Sequence, residues 1–371
     1  MAKINEQTKI VLTGGHAGTT ALSIVHEITK RKLAWDLYWI GSRKAHEGSD
    51  APTLESRTLP NYGVEFISIR AGKLQRRWSK HTIPSLIKVP LGFIDAYRVL
   101  KRLKPQIVVS FGGYSSFPVV VCAWLLKIPV LLQEQITGLG FANRLSLPFA
   151  KKVALAREEG LGPSKGKGIV LGNPISPEIA RLIPKSKMNS VPTLFVFAGS
   201  RGSQSINEMI KVLLPKLLDH FRVIHHTGDL DFNPFSQLHK TLKPSHRKKY
   251  FPYKFIETSD VPLFYQKSDI LIGRAGANTI SEIMVVGIPS IVIPLTWTNY
   301  QEQILNAKAA QKRNFVRVLD QDTLTPDKLY KTIQEIESKW STLVHSQVRD
   351  LAELDKSASS KIVDLIEEMI S

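Results

Sequence analysis

The run Asp269-Ile270-Leu271-Ile272-Gly273-Arg274-Ala275-Gly276-Ala277-Asn278-Thr279-Ile280-Ser281-Glu282 holds a strand, a turn and the start of a helix in unbroken succession. Ile270 to Ile272 are apolar on both faces, as a strand inside a parallel sheet must be. Gly273 and Gly276 let the backbone turn sharply and approach a ligand. Arg274 and Ala277 lie in the turn, and the amides near Asn278 and Thr279 face back beyond the strand end, where a helix start attracts phosphates. Glu282, one turn into the helix, can accept two hydrogen bonds from a pair of hydroxyls. A capped helix with a solvent-facing glutamate is the plain alternative.

The same unit recurs outward in both directions. Upstream, the strand Thr193–Phe197 runs into Ala198-Gly199-Ser200-Arg201-Gly202-Ser203, a glycine- and serine-rich loop before a helix over Ser205–Leu218. Further strands are expected at Arg222–His225, Lys254–Ile256, Ile270–Ile272 and Ser290–Ile293. Asn299-Tyr300-Gln301-Glu302-Gln303-Ile304-Leu305-Asn306 opens another helix, to Gln311, with amides suited to hydroxyl recognition or to a polar helix entrance. A long helical stretch is expected over roughly Ser341–Ile370.

The first half reads alike, with strands at Ile10–Thr13, Leu37–Ile40, Phe66–Ile69, Ile107–Ser110 and Val130–Gln133 and helices such as Thr20–Arg31 and Leu91–Leu103. Between the halves, Gly160–Gly172 holds five glycines and Pro163, and Pro174, Pro177, Pro184 and Pro192 follow. The pattern predicts an α/β protein of two Rossmann-like, doubly wound parallel-sheet domains, 1–165 and 166–354, with a helix at about 355–371 packing back on the first. Ligands are expected beyond the carboxyl ends of the strands, in the cleft between halves.

Three strand ends in the first half carry polar clusters. Thr13-Gly14-Gly15-His16-Ala17-Gly18-Thr19-Thr20 lacks the spacing of a dinucleotide fingerprint, so it reads as a turn that approaches a polar ligand or as a simple strand-to-helix connection. His16 suits a base or a hydrogen-bond donor. Phe111-Gly112-Gly113-Tyr114-Ser115-Ser116-Phe117-Pro118 offers glycines and hydroxyls for a sugar or diphosphate. Gln133-Glu134-Gln135 closes the next strand, with Asn143-Arg144 downstream, and suits sugar hydroxyls or a helix cap.

Composition sets the class. The 371 residues are 43% hydrophobic and 22% charged, as in a packed soluble protein of two domains. Lone Cys122 fits a reducing compartment, and the polar start Met1–Gln7 carries no secretory signal. The uncharged stretch Pro105–Leu126 is broken by Gly112, Gly113 and Pro118, which excludes a membrane span. The formal charge is +18, and Arg70–Lys104 holds ten Lys or Arg against one acid, Asp95. Trp78, Ile83, Leu86, Ile87, Val89, Leu91 and Phe93 are interleaved there, a composition suited to an anionic membrane surface. A nucleic-acid face and a solvated helix over a buried stripe are the alternatives. Asp229-Leu230-Asp231 has the D-x-D form of a metal motif but reads as a solvated loop, and adjacent His225 and His226 read as structural.

Taken in order from Thr13 to Asn306, these motifs resemble the MurG family, the peptidoglycan transferases that add N-acetylglucosamine to lipid I to make lipid II. The resemblance rests on the GGH and GGY loops, the E-Q strand end with its N-R, Gly172-Asn173-Pro174, the glycine-serine loop, the R-x-G-A-x-T-x-x-E helix and the Q-x-x-N-A helix. It implies a GT-B architecture, UDP-N-acetylglucosamine as donor, a lipid-linked muramyl-peptide acceptor, inversion at the anomeric carbon, and no cofactor or obligatory metal. It places uracil near Phe255 and Ile256, ribose on Glu282, and sugar hydroxyls on Gln303 and Asn306. Diphosphate falls to Ser200, Asn278 and Thr279, with Arg201, Arg274 and Ala277 completing the donor set. Thr13, Gly14, Gly15, Tyr114, Ser115 and Asn143 line the acceptor side, with His16 the first choice of general base and Glu134 the second. The basic, apolar stretch 70–93 then rests on the inner face of the plasma membrane of the cytoplasm, and nucleic acid drops out as a partner.

Departures from the family pattern fall mostly on the acceptor side and around the diphosphate. Gln133 and Ile136 replace the first and last residues of H-E-Q-N, Ser176 stands where an arginine is common, Thr19 replaces a proline, and Ala198 and Arg201 alter the glycine-serine loop. Transfer to another lipid acceptor, as in a glycolipid synthase, is therefore the first alternative. A UDP-N-acetylglucosamine 2-epimerase, which shares the two-domain architecture, is the second.

Overall fold

The computed structural model describes residues 7–15, 17–43, 52–70, 82–199, 202–297 and 301–371, with backbone alone for 82–89. The chain forms two units, Met1–Ser176 with Leu354–Ser371, and Pro177–Glu353. In the first, strands β1 (Thr8–Thr13), β2 (Trp35–Gly41), β3 (Val64–Ser68), β4 (Ile107–Ser110), β5 (Val130–Glu134), β6 (Lys152–Leu155) and β7 (Gly168–Val170) make a seven-stranded sheet in the order β3-β2-β1-β4-β5-β6-β7. Every pairing in it is parallel. Alternate residues of β1 enter opposite layers: Ile10 and Leu12 pack with Ile24, Ile362 and Ile366, while Val11 packs with Val119, Val120 and Leu132. Burial on both faces is what made these strands read as continuous apolar runs.

The second unit holds β8 (Thr193–Phe197), β9 (Arg222–His226), β10 (Tyr250–Tyr253), β11 (Ile270–Gly273), β12 (Ser290–Val292) and β13 (Val316–Val318), all parallel, in the order β10-β9-β8-β11-β12-β13. Each order reverses once, between β1 and β4 in the first unit and between β8 and β11 in the second. Those are the switch points at which doubly wound sheets take ligands.

The helix Asp350–Ile370 crosses from the second unit into the first and is pinned there. Buried Arg157 donates Nη1 to Asp355 Oδ1 and Nη2 to Oδ2, both at 2.7 Å, and the amide of Asn173 donates to the same Oδ1 at 2.8 Å. One carboxylate thus ties the end of the sheet, the stretch leaving it and the returning helix. Leaving either ion without the other in such a site costs about 3–5 kcal/mol. Arg31 adds a surface clasp to Asp364 and Glu367.

Several boundaries differ from the sequence reading. The glycine-rich stretch is not all linker: Gly168–Val170 is β7, paired with β6, so the first unit runs through Ser176 rather than ending at 165. Strands β6, β7 and β13 are short and lack the long apolar runs that marked the others. The strand expected at Lys254–Ile256 is instead Tyr250–Tyr253, where Pro252 is tolerated because β10 is an edge strand. The helix expected from Leu91 begins at Thr82, with Pro90 inside it. The long C-terminal helical stretch is broken into Trp340–His345 and Asp350–Ile370. Between them Gln347 Nε2 donates to Gly287 O and Arg349 Nη2 to Val285 O, satisfying carbonyls at the end of the helix Ala277–Val286.

Candidate functional site

At the second unit's switch point, β8 pairs with β11 so that Phe197 lies opposite Gly273. The loops that follow therefore leave the sheet side by side. The first passes through Gly199 and Gly202, both at positive φ (84° and 72°), into the helix Gln204–His220; the second passes through Gly276 into the helix Ala277–Val286. Neither helix has an acidic residue in its first turn or a side-chain hydrogen bond at its N-cap. Arg274 joins them. It is 8% exposed, donates Nη1 to Ile293 O at 2.9 Å, and donates Nη2 to the hydroxyls of Ser203 and Ser205 at 2.6 and 2.7 Å.

Among the described residues no carboxylate pairs with Arg274, and burial lowers its pKa to about 10. A charged guanidinium and two positive helix ends thus converge, with no carboxylate among the described residues paired to the guanidinium or placed in either helix's first turn. The arrangement has the chemistry of an anion receptor.

Glu282 lies one turn along the second helix, partly buried, and Tyr265 Oη donates to its Oε2 at 2.9 Å. Burial pushes the Glu282 carboxyl up to about 7, against the tyrosine hydrogen bond, which pulls it down. Gln303 and Asn306, on the helix Glu302–Gln311, each commit one end of the amide to loop backbone. Gln303 Oε1 accepts from Leu295 N at 3.0 Å, and buried Asn306 donates to Ala275 O at 3.1 Å. Both brace the loops around Arg274. Ile256 is buried in the segment after β10, beside half-exposed Phe255.

In the first unit, the loops after β1 and β4 interlock. Gly15 N donates to Gly112 O at 2.9 Å, Ser115 Oγ to Gly14 O at 2.9 Å, and Thr13 Oγ1 to Ile40 O at 2.7 Å. Gly113, at φ 96°, lies so close to Gly15 that a Cβ there would fall 2.7 Å from the Gly15 nitrogen. Ser115 is accordingly a buried tie between the loops and Thr13 one between the ends of β1 and β2, and Tyr114 stands partly exposed beside Gly15. The start of the first helix is already occupied: buried Glu55 accepts from Ala17 N at 2.9 Å. The amide of Ala17, at the start of that helix, is thus already taken by a carboxylate.

Glu134, 4% exposed, accepts from Gly140 N at 2.7 Å, Asn143 Nδ2 at 3.0 Å and Ile136 N at 3.2 Å. Burial raises its pKa and these donors oppose the rise. The carboxylate and Asn143 together fold the 134–143 loop upon itself. Gln133, the residue standing in for the family's histidine, is 1% exposed with both amide atoms unpartnered among the described residues.

The two decoys resolve into ordinary packing. Asp229 pairs with Lys254 at 2.7 Å, and Asp231 accepts from Asn207 Nδ2 at 2.7 Å. His225 is bracketed by Tyr250 Oη and Asn207 Oδ1 at 3.0 and 2.9 Å, and burial drives it down to about 3. Among the described residues no group of three His, Cys, Asp or Glu has metal-holding geometry. His16, Ser200, Arg201 and the basic segment from Ala71 to His81 lie outside the described residues. Sequence reading missed Tyr265, Glu55, Ser203 and Ser205. Each acts through a long-range contact that no local pattern announces.

The profile described as "Glycosyltransferase family 28 N-terminal domain" matches residues 12–155, and "Glycosyltransferase family 28 C-terminal domain" matches 193–366. A Bacillus cereus protein named "UDP-N-acetylglucosamine--N-acetylmuramyl-(pentapeptide) pyrophosphoryl-undecaprenol N-acetylglucosamine transferase 2" is 31% identical over 339 residues, spanning 88% of this chain and 91% of its own. A Clostridium botulinum protein of the same name, without the final numeral, is 32% identical over 88% of this chain and 90% of its own. Among solved structures, Acinetobacter baumannii MurG superimposes with a TM-score of 0.72 at 22% identity, over 97% of this chain and 99% of that one. A UDP-GlcNAc 2-epimerase from Neisseria meningitidis shares the fold at a TM-score of 0.65 and 13% identity, over 97% of this chain and 100% of that one. With relatives of that identity along nearly its whole length, and both domain profiles in order on the two sheets, the chain belongs to glycosyltransferase family 28 and, within it, to the MurG family.

Proposed function

We propose that the chain transfers N-acetylglucosamine from UDP-N-acetylglucosamine to the muramyl sugar of undecaprenyl-diphosphate-linked lipid I, giving lipid II with inversion at the anomeric carbon. The observation that carries the donor half is buried Arg274, uncompensated between two acid-free helix starts, with a carboxylate one turn away. Diphosphate takes the helix starts through Asn278 and Thr279, ribose hydroxyls donate to Glu282, and uracil lies near Ile256. An acceptor hydroxyl attacks the anomeric carbon, the bond from that carbon to the diphosphate oxygen breaks, and the hydroxyl proton passes to a base. His16 is our choice of base. Three hydrogen bonds already hold Glu134, which supports a bracing role for it. Negative charge growing on the departing UDP is offset by helix amides and Arg274, so no resident divalent cation is required.

Membrane association belongs to the same proposal, on the inner face of the plasma membrane. No helix among the described residues is long and apolar enough to cross a membrane. Two members of the expected face already have protein partners. Phe93 packs against Phe117 and the core, and Arg70 is engaged by Asp95 in paired hydrogen bonds at 2.6 and 2.7 Å. Exposed Ile94 and Tyr97 beside the exposed end of Ser116–Leu125, Trp124 and Leu125, supply apolar surface in their place.

Three outcomes test this reading. Labelled sugar from UDP-N-acetylglucosamine should appear on lipid I and not on diacylglycerol. Exclusive labelling of diacylglycerol would make the chain a glycolipid synthase, and conversion of the donor to UDP-N-acetylmannosamine without acceptor would make it an epimerase. Glu282→Ala should weaken UDP binding by about 1.5–3 kcal/mol in calorimetry of the folded protein. Because the free carboxyl sits near 7 and must be ionised to accept ribose hydroxyls, UDP affinity should fall as pH drops through 7. The fall should be about tenfold between roughly pH 8 and 6, and Glu282→Gln should abolish the part not due to UDP itself. Equal affinities for wild type and Glu282→Ala would remove the residue from the site. Finally, Trp124→Ser with Leu125→Ser should reduce sedimentation with anionic vesicles independently of salt, while lowering the melting temperature only modestly through loss of the Trp124–Phe149 edge contact. Neutralising Lys73, Arg76, Arg77 and Lys80 should lower it by at most about 1 kcal/mol per charge, an effect that salt mimics. Unchanged sedimentation in both variants would place the membrane face elsewhere.

A further inference from the structure

We infer that Tyr265 is a positioning residue for the donor: its buried hydroxyl fixes Glu282 so that the carboxylate meets a ribonucleotide's paired hydroxyls already oriented. The inference rests on the assignment of Glu282 to ribose above. Tyr265 belongs to the short helix Val261–Lys267 and is 1% exposed. Its ring stands edge-on to Phe195 of β8, with centroids 5.8 Å apart and planes at 87°. Ser268, which ends that helix, ties back to Phe264 O at 2.7 Å. The phenol therefore has a fixed origin, and at 2.9 Å it reaches Glu282 Oε2.

A glutamate near a helix start has rotamers to spare, and ordering it at the moment of binding costs affinity. Here Tyr265 has already selected the rotamer and taken up one lone-pair direction. A hydrogen bond to the charged form also favours ionisation, countering the burial that raises the Glu282 carboxyl. A tyrosine serving only to fill the core would need some acceptor for its hydroxyl, and any carbonyl would serve. This one spends it on the single carboxylate of the donor site.

The test is a double-mutant cycle read by UDP calorimetry on the full chain: wild type, Tyr265→Phe, Glu282→Ala and the double variant. Phenylalanine keeps the ring and its packing on Phe195, and a melting curve establishes that each variant is folded. Tyr265→Phe should weaken UDP binding several-fold to roughly tenfold in the wild-type background and scarcely at all when Glu282 is alanine. It should also move the pH below which UDP affinity falls upward, since the carboxylate has lost a donor. In transfer assays the loss should appear in KM for the donor more than in kcat. Losses that simply add, with an unmoved pH profile, would overturn the inference. If Glu282→Ala alone leaves UDP affinity unchanged, the ribose assignment itself fails, a result distinct from failure of Tyr265.

Discussion

The parallel pairing of β8 with β11 is the constraint from which the proposed donor site follows. With Phe197 opposite Gly273, two strand-to-helix loops must leave the sheet at one place, and any side chain on Gly273 would collide with Phe197 O. Two helix starts then stand at neighbouring strand ends, neither with an acidic residue in its first turn. Arg274 adds a full charge and reaches across to Ser203 and Ser205. A protein gains nothing in stability from a buried cation to which the described residues offer no carboxylate, so this arrangement makes physical sense as a receptor for an anion.

The first unit repeats the topology with a carboxylate, Glu55, at the corresponding helix start. Its loops meet at the β1–β4 switch point, but they are tied to one another and the amide of Ala17 is held by Glu55. Negative charge placed where a second phosphate cradle would otherwise form leaves a polar, interlocked surface, suited to hydroxyls and amides rather than to a nucleotide. One architecture used twice thus gives two chemically different ends. The Arg157–Asp355 pair, with Asn173 on the same carboxylate, fixes the returning helix in the first unit.

How much of this was legible in the sequence depends on range. Strands buried on both faces, such as Ile107–Ser110 and Thr193–Phe197, coincide with their expected limits because their signal is local. The glycine loops and the Arg274–Glu282 run were visible for the same reason. Edge elements were not: Pro252 obscures β10, and β7 lies inside a stretch whose glycines read as linker. Tyr265 and Glu55 reach their partners through the fold, and nothing near them in sequence marks the contact. Phe93 reads as membrane-facing by composition, yet it is partly buried against the core, with Phe117 edge-on to it, a contact no local pattern marks.

Diffraction from crystals soaked with UDP-N-acetylglucosamine tests the central claim most directly. Diphosphate density should lie between the starts of the helices Gln204–His220 and Ala277–Val286, beside Arg274, with both ribose hydroxyls within hydrogen-bonding distance of Glu282. Nucleotide density in the first unit, or in the second with Arg274 and Glu282 untouched, would contradict the account.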